Sequence, residues 1–187
     1  MSLFERMPDV AFRLMSLVMA VQDFFHPYID RRVATFGIRE KMTVVDYGCG
    51  PGRYTTRFAK LVGPAGKVYA VDVQRLAIQT VKSKMRKENL DNVVPLLAQG
   101  YQSGIPDQAA DAVCALDMFF GLSDPAAFLN EIHRITKPEG FLILDDGHQS
   151  RQETLRKMKA ADKWEIIMET PDYLRCRPIH PFNGLPW

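Results

Sequence analysis

Between Met42 and Arg177 the chain alternates short apolar runs with longer amphipathic stretches. Val44-Val45-Asp46-Tyr47, Val68-Tyr69-Ala70-Val71-Asp72, Ala112-Val113-Cys114-Ala115-Leu116 and Phe141-Leu142-Ile143-Leu144 are such runs. Each is too short for a buried helix and rich in strand-forming residues. The pattern predicts strands over 42–47, 67–72, 92–97, 111–116 and 140–145, with helices over 53–62, 74–88, 124–136 and 150–161. Strands that alternate with helices pair in parallel and are covered on both faces. Asp124-Pro125 puts a capping acid before a proline at the first helical position, and Gly63-Pro64-Ala65-Gly66 closes an earlier helix with a turn. Trp164 to Thr170, then Pro171-Asp172, then Tyr173 to Arg177 reads as a terminal antiparallel hairpin.

The N-terminal segment from Val10 to Val21 is mostly apolar, with Leu14, Met15, Val18, Met19 and Phe25 close to helical spacing and Pro8 near the start. An amphipathic helix packed on the domain is expected. Glu5, Asp9 and Arg13 break the apolar run that a signal peptide or a ~20-residue membrane span requires. The chain is thus read as one domain over 1–187: a helical cap over 1–40, a core over 41–178 and a tail over 179–187. The tail is apolar and proline-rich, suited to packing over a site or joining a second copy in a homodimer.

Charge and cysteines narrow the partners. With 24 basic and 22 acidic residues the net charge is +2, so no global field favours nucleic acid. The dense basic run Lys82, Lys84, Arg86 and Lys87 falls at a predicted helix end, where cations complement the dipole. Three cysteines at 49, 114 and 176 form no C-x-x-C pair and read as buried small hydrophobes, which argues against a disulfide framework or a thiol metal site and favours a cytoplasmic setting.

The chemistry concentrates after the first strand, where Asp46-Tyr47-Gly48-Cys49-Gly50-Pro51-Gly52 reads Asp-x-Gly-x-Gly-x-Gly. Glycines let the backbone turn sharply and approach a ligand. A dinucleotide loop would carry a further glycine at Arg53. Asp46 would repel a pyrophosphate and attract an ammonium group. At this point the chain resembles the class I S-adenosylmethionine (SAM)-dependent methyltransferases. The resemblance extends to Val68–Asp72 as the second strand, to Ile105-Pro106-Asp107, and to Lys137-Pro138-Glu139-Gly140 as the turn before the fifth strand, covering roughly residues 40 to 178.

The resemblance implies a Rossmann-like, doubly wound, mostly parallel seven-stranded α/β sheet with N-terminal capping helices. It implies SAM as cofactor and S-adenosylhomocysteine (SAH) as product. The loop residues Asp46, Gly48, Cys49 and Gly50 would wrap the cofactor, and Asp72 with Val73 would meet its ribose. The family's adenine-contacting acid aligns with Gly100, a departure that leaves the Gln99 amide to serve that edge. Asp117, ending the fourth strand, would face the methionine part.

Asp117-Met118-Phe119-Phe120 lacks the prolines and tyrosine of the N/D-P-P-Y box of amino-group methyltransferases. Its phenylalanines suit a small apolar or aromatic acceptor. Methyl transfer leaves a general base optional; the candidates are His148 and Asp146 in Asp145-Asp146-Gly147-His148. The expectation is methyl transfer to a small, partly apolar molecule. A SAM or SAH binding module without turnover, and a nicotinamide-dependent reductase, stay open as alternatives.

Overall fold

The computed structural model describes residues 7–25 and 28–179, apart from the side chains of 23–25. Residues 180–187, to which the expected tail roles attach, lie outside the described residues. In chain order the elements are α1 (Asp9–Phe25), α2 (Tyr28–Ala34), β1 (Thr43–Tyr47), α3 (Thr55–Val62), β2 (Lys67–Asp72), α4 (Arg75–Glu88) and β3 (Val93–Leu97). Then come β4 (Ala110–Ala115), a single 3-10 turn over Phe119–Gly121, α5 (Pro125–Ile135), β5 (Thr136–Leu144), α6 (Arg151–Lys159), β6 (Trp164–Glu169) and β7 (Leu174–Pro178).

The seven strands form one sheet in the order β3-β2-β1-β4-β5-β7-β6. The first five run parallel, and β7 is antiparallel to both β5 and β6. Adjacent valines show why the sheet is covered twice. Val44 packs with Phe58, Val68 and Ile143 on one face, while Val45 packs with Val71, Phe128 and Ile132 on the other. Strand side chains alternate faces, and fully burying each such residue contributes roughly 1.5–3 kcal/mol. Asp124 caps α5 as expected, its carboxylate accepting the Ala127 amide at 2.9 Å. All three cysteines are buried and free.

Two expectations change. Lys137-Pro138-Glu139-Gly140 belongs to β5 rather than to a separate turn. Ala110 pairs with Thr136 and Ala112 with Phe141, so the extra residues of β5 bulge out of the ladder. Gly140 permits this, because a Cβ there would stand 2.9 Å from the Ala110 carbonyl oxygen. The second change concerns α1, which forms and turns Met15 of the expected face toward the domain, but not Leu14 or Val18. Phe12 is buried, whereas Leu14 and Val18 are 63% and 47% exposed. The helix has two apolar stripes, Phe12 with Met15 and Val10 with Leu14, Leu17, Val18 and Val21, and only the first turns toward the domain.

Candidate active site

Strand order reverses between β1 and β4, and open α/β sheets bind ligands in the crevice beyond such a point. Two cavities open there, and both touch Asp117.

The first cavity encloses about 220 Å³. Its sheet side is Gly48, Gly50, Asp72, Val73 and Gly100, while Phe12, Met15, Met118, Phe120 and Leu122 make it apolar elsewhere. The glycine loop is folded across the end of β2, where the Gly48 and Cys49 amides both donate to the Val71 carbonyl at 2.8 and 3.0 Å. Gly48 has φ +76°, and a Cβ there would stand 2.9 Å from Met118 Cγ. Gly50 donates its amide to Asp72 Oδ2 at 2.8 Å, and the Gln74 amide donates to Asp72 Oδ1 at 2.7 Å. A carboxylate oxygen has two lone pairs, so each can still accept a further bond from the cavity. Burial raises the Asp72 pKa against the pull of those amides.

The other residues singled out from the sequence are placed differently. Asp46 lies behind the loop, 2% exposed, accepting the Thr55 hydroxyl at 2.5 Å and so tying β1 to α3. Burial, with the Asp72 charge adding to it, pushes its pKa up to about 7 although Thr55 pulls down. Cys49 sits in the core beneath the loop, and burial lifts its thiol well above the usual range. Gln99 is exposed and outside the cavity lining, but its backbone makes reciprocal bonds with Gln102 that hold Gly100 at φ +61° against the cavity. Sequence reasoning missed Gln74, Met15 and Phe12 as lining residues; nothing in their local pattern distinguishes them from ordinary helix positions.

The second cavity, about 270 Å³, is walled by polar side chains from five segments. Arg32 of α2 is its organising residue, and no local pattern in the chain marks it. Its Nη1 donates to the Tyr54 hydroxyl at 2.6 Å, and its Nη2 donates to Asp145 Oδ2 at 2.7 Å and to the Asp172 carbonyl at 2.9 Å. The Arg32 and Asp145 side chains are only 6% and 4% exposed. Burial and the neighbouring Asp117 raise the Asp145 pKa, against the pull of Arg32. Burial opposes the Arg32 charge, but Tyr54 and Asp145 outweigh it and hold the proton more firmly than usual. Asp145 Oδ1 accepts the Asp117 amide at 2.8 Å, and Asp117 is held at φ +56°, a left-handed conformation uncommon outside glycine. Asp117 thereby stands where the cavities meet.

The two candidate bases separate. Asp146 lines the second cavity, with both carboxylate oxygens accepting from Arg151 Nε at 3.0 and 2.9 Å. His148 is exposed, lines neither cavity, and packs edge-on to Phe120 with ring centres 4.8 Å apart.

The donor set of the first cavity suits SAM. Asp72 offers acceptor sites for ribose hydroxyls, and no atom lies within 4 Å of where a Cβ on Gly50 or Gly100 would stand, so the backbone there can approach a ligand closely. The apolar wall matches an adenine ring and a thioether chain.

Comparison with known proteins points the same way. The model of a methyltransferase-domain family matches residues 38–176, and the chain belongs to that family. It is 29% identical over 106 residues to the demethylmenaquinone methyltransferase of Geobacillus stearothermophilus, covering 57% of this chain and 45% of that one. It is 28% identical over 132 residues to a ubiquinone/menaquinone biosynthesis C-methyltransferase of Shewanella baltica, covering 70% of this chain and 53% of that one. The chain thus spans about half the length of these curated relatives. The crystal structure of a SAM-dependent methyltransferase from Aquifex aeolicus superposes with a TM-score of 0.71 at 29% identity, covering 80% of this chain and 89% of that one. The fold is accordingly the Rossmann-like methyltransferase α/β fold expected, and the chain is a methyltransferase by family.

Proposed function

We propose that this chain transfers the methyl group of SAM to a small-molecule acceptor, with the cofactor in the apolar cavity. The observation that carries the reading is Asp72, which closes the glycine loop through Gly50 and keeps acceptor capacity on the cavity side. Gly48, Gly50 and Gly100 would leave room for the cofactor, Val73 would pack on it, and Asp117 would meet its amino-acid end. Asp46 would support the loop from behind through its bond to Thr55 and would ionise more readily beside a cationic cofactor. When bound, the cofactor supplies an electrophilic methyl group whose departure leaves a neutral thioether. Holding the reacting groups in line and excluding water can supply much of the acceleration, up to roughly 7–11 kcal/mol. The apolar lining from α1 and from Met118, Phe120 and Leu122 would do the excluding.

The names of the relatives support a quinone-type ring as the finer reading of the acceptor. A proton acceptor, where one is needed, is better sought at Asp117 than at His148, which lines neither cavity, or at Asp146, whose oxygens Arg151 already holds.

Calorimetric titration with SAM, SAH and NADH tests the reading. SAM and SAH are expected to bind and NADH not to. Asp72→Ala is expected to weaken SAH by roughly 10- to 100-fold, since a hydrogen bond to a charged group contributes ~1.5–3 kcal/mol. Saturable NADH binding without SAM binding would overturn the reading. SAM binding with no methyl loss across a panel of phenols and quinols would favour a binding module.

A further inference from the structure

We propose that the polar cavity beside the cofactor cavity is the acceptor site, and that it takes a small acceptor which donates hydrogen bonds through hydroxyl or protonated amine groups. The proposal rests on the methyltransferase reading above and specifies its acceptor.

Position comes first. Asp117 is the residue common to both linings, so a molecule in the polar cavity meets the amino-acid end of the cofactor across one side chain. The remaining walls come from α2, from the end of the glycine loop, from the end of β5 and from the β6–β7 turn. A volume of about 270 Å³ admits a single ring or a short chain, not a polymer.

The chemistry of the walls selects the occupant. Four carboxylates, those of Asp117, Asp145, Asp146 and Asp172, line the cavity against two guanidinium groups, Arg32 and Arg53. Arg32 already spends its terminal nitrogens on Tyr54, Asp145 and the Asp172 carbonyl. Asp145 is held by Arg32 and Asp146 by Arg151, so the carboxylates with most acceptor capacity left are Asp117 and Asp172, and these set the surface a ligand would meet. A hydroxyl or ammonium group finds partners there, and a carboxylate or phosphate meets repulsion. Tyr28 already shows the pattern, its hydroxyl donating to Asp172 Oδ1 at 3.1 Å.

Asp117 is the group that touches the acceptor. Its amide is anchored on the buried Asp145, which fixes a backbone conformation that a free loop would leave. Its carboxylate is exposed and stands at the meeting point of the cavities. On transfer a lone pair of the hydroxyl, or of the amine once its ammonium form has given a proton to the Asp117 carboxylate, forms the new bond to the methyl carbon, and sulfur keeps the electron pair of the broken bond. The acceptor's proton passes to an Asp117 carboxylate oxygen and then to water.

The test is ligand-observed saturation-transfer NMR on the SAH-saturated protein with catechol, tyramine and benzoate as probes, beside SAH calorimetry on the same samples. Catechol or tyramine is expected to bind and benzoate not to; binding of one donor alone tells hydroxyl from amine recognition. Asp172→Ala removes a carboxylate of the polar cavity only, and is expected to weaken the bound donor at least fivefold while SAH affinity changes less than twofold. Asp117→Asn is expected to weaken the donor at least tenfold. Preferential binding of benzoate, failure of both donors, or donor affinity indifferent to both variants would overturn the proposal. If SAH itself does not bind, the methyltransferase reading falls, and the same probes on the ligand-free protein decide the cavity separately.

Discussion

The two cavities at the sheet's carboxyl edge handle buried charge in opposite ways. In the cofactor half, Asp46 and Asp72 are bonded to a threonine hydroxyl and to backbone amides. In the polar half, Asp145 is bonded to an arginine as buried as itself. The first arrangement would become more negative as a cationic ligand such as SAM binds beside it, because burial holds both carboxyl groups above their usual pKa. The second neutralises Asp145 internally, so that Asp117 and Asp172 carry the acceptor capacity at its surface. On the proposed reading, affinity for a charged cofactor and selection of a donor-bearing acceptor would be divided between neighbouring sites.

The sharpest way to break this contrast is to remove Arg32. Arg32→Ala leaves the Asp145 carboxylate buried without its partner and is expected to destabilise the fold by about 3–5 kcal/mol. Thermal or denaturant unfolding measures it. Arg32→Met combined with Asp145→Leu removes both charges, and such replacements of buried pairs are often close to neutral. The double variant should therefore recover most of the lost stability. A single variant as stable as the parent would mean that the pair contributes no structural cohesion and that the two halves do not differ as described.

In the cofactor half, the expected effects are smaller and turn on glycines. Gly48→Ala combines positive φ with a Cβ 2.9 Å from Met118 Cγ, and is expected to cost roughly 1–3 kcal/mol of stability. Gly50 also has positive φ, but no atom lies within 4 Å of where its Cβ would stand. Gly50→Ala is expected to cost only ~1–2 kcal/mol of stability, while its methyl group intrudes on the cofactor's space. Calorimetry with SAH should show a larger loss of affinity relative to the loss of stability for Gly50→Ala than for Gly48→Ala. Equal ratios would indicate that Gly50 does not face the cofactor.

The same contrast explains what could be read from the sequence. The cofactor half is local: Gly48, Gly50 and Asp72 lie within 25 residues, and their strand-turn and strand-end settings are written in the flanking apolar runs. The sheet was legible for the same reason, since each strand's periodicity is its own. The polar half is assembled from contacts such as Arg32 to Asp145, 113 positions apart, and Arg32 to Asp172, 140 positions apart. An arginine in a short helix carries no sign that it will be buried; only the packing of α2 against the end of β5 and the β6–β7 turn decides that. The two stripes of α1 failed for a related reason: periodicity reports that a helix has an apolar face, not which of two faces meets the domain.

A pH dependence also follows from the cofactor half, and Asp145 of the polar half, whose pKa burial raises as well, acts in the same sense. Burial raises the Asp46 pKa from its usual 3.8 to about 7. Between those values the folded protein binds more protons than the unfolded chain, so stability falls as pH rises. The contribution is fully present below pH ~4 and lost by pH ~7. Carboxylates such as Asp30 and Glu131 have lowered pKa values and act in the opposite sense, but at lower pH, where their ion pairs with Arg57 and Arg134 are protonated away. Urea unfolding at pH 5, 6, 7 and 8 should therefore show stability declining from pH 5 to 7 and levelling toward pH 8, and Asp46→Asn should flatten the decline. Saturating SAM should flatten it too, because a cationic ligand near the loop favours the ionised carboxylate and returns Asp46 toward its ordinary pKa. A slope unchanged by Asp46→Asn would move the titrating charge elsewhere in the fold and leave the cofactor half without the ionisation assigned to it.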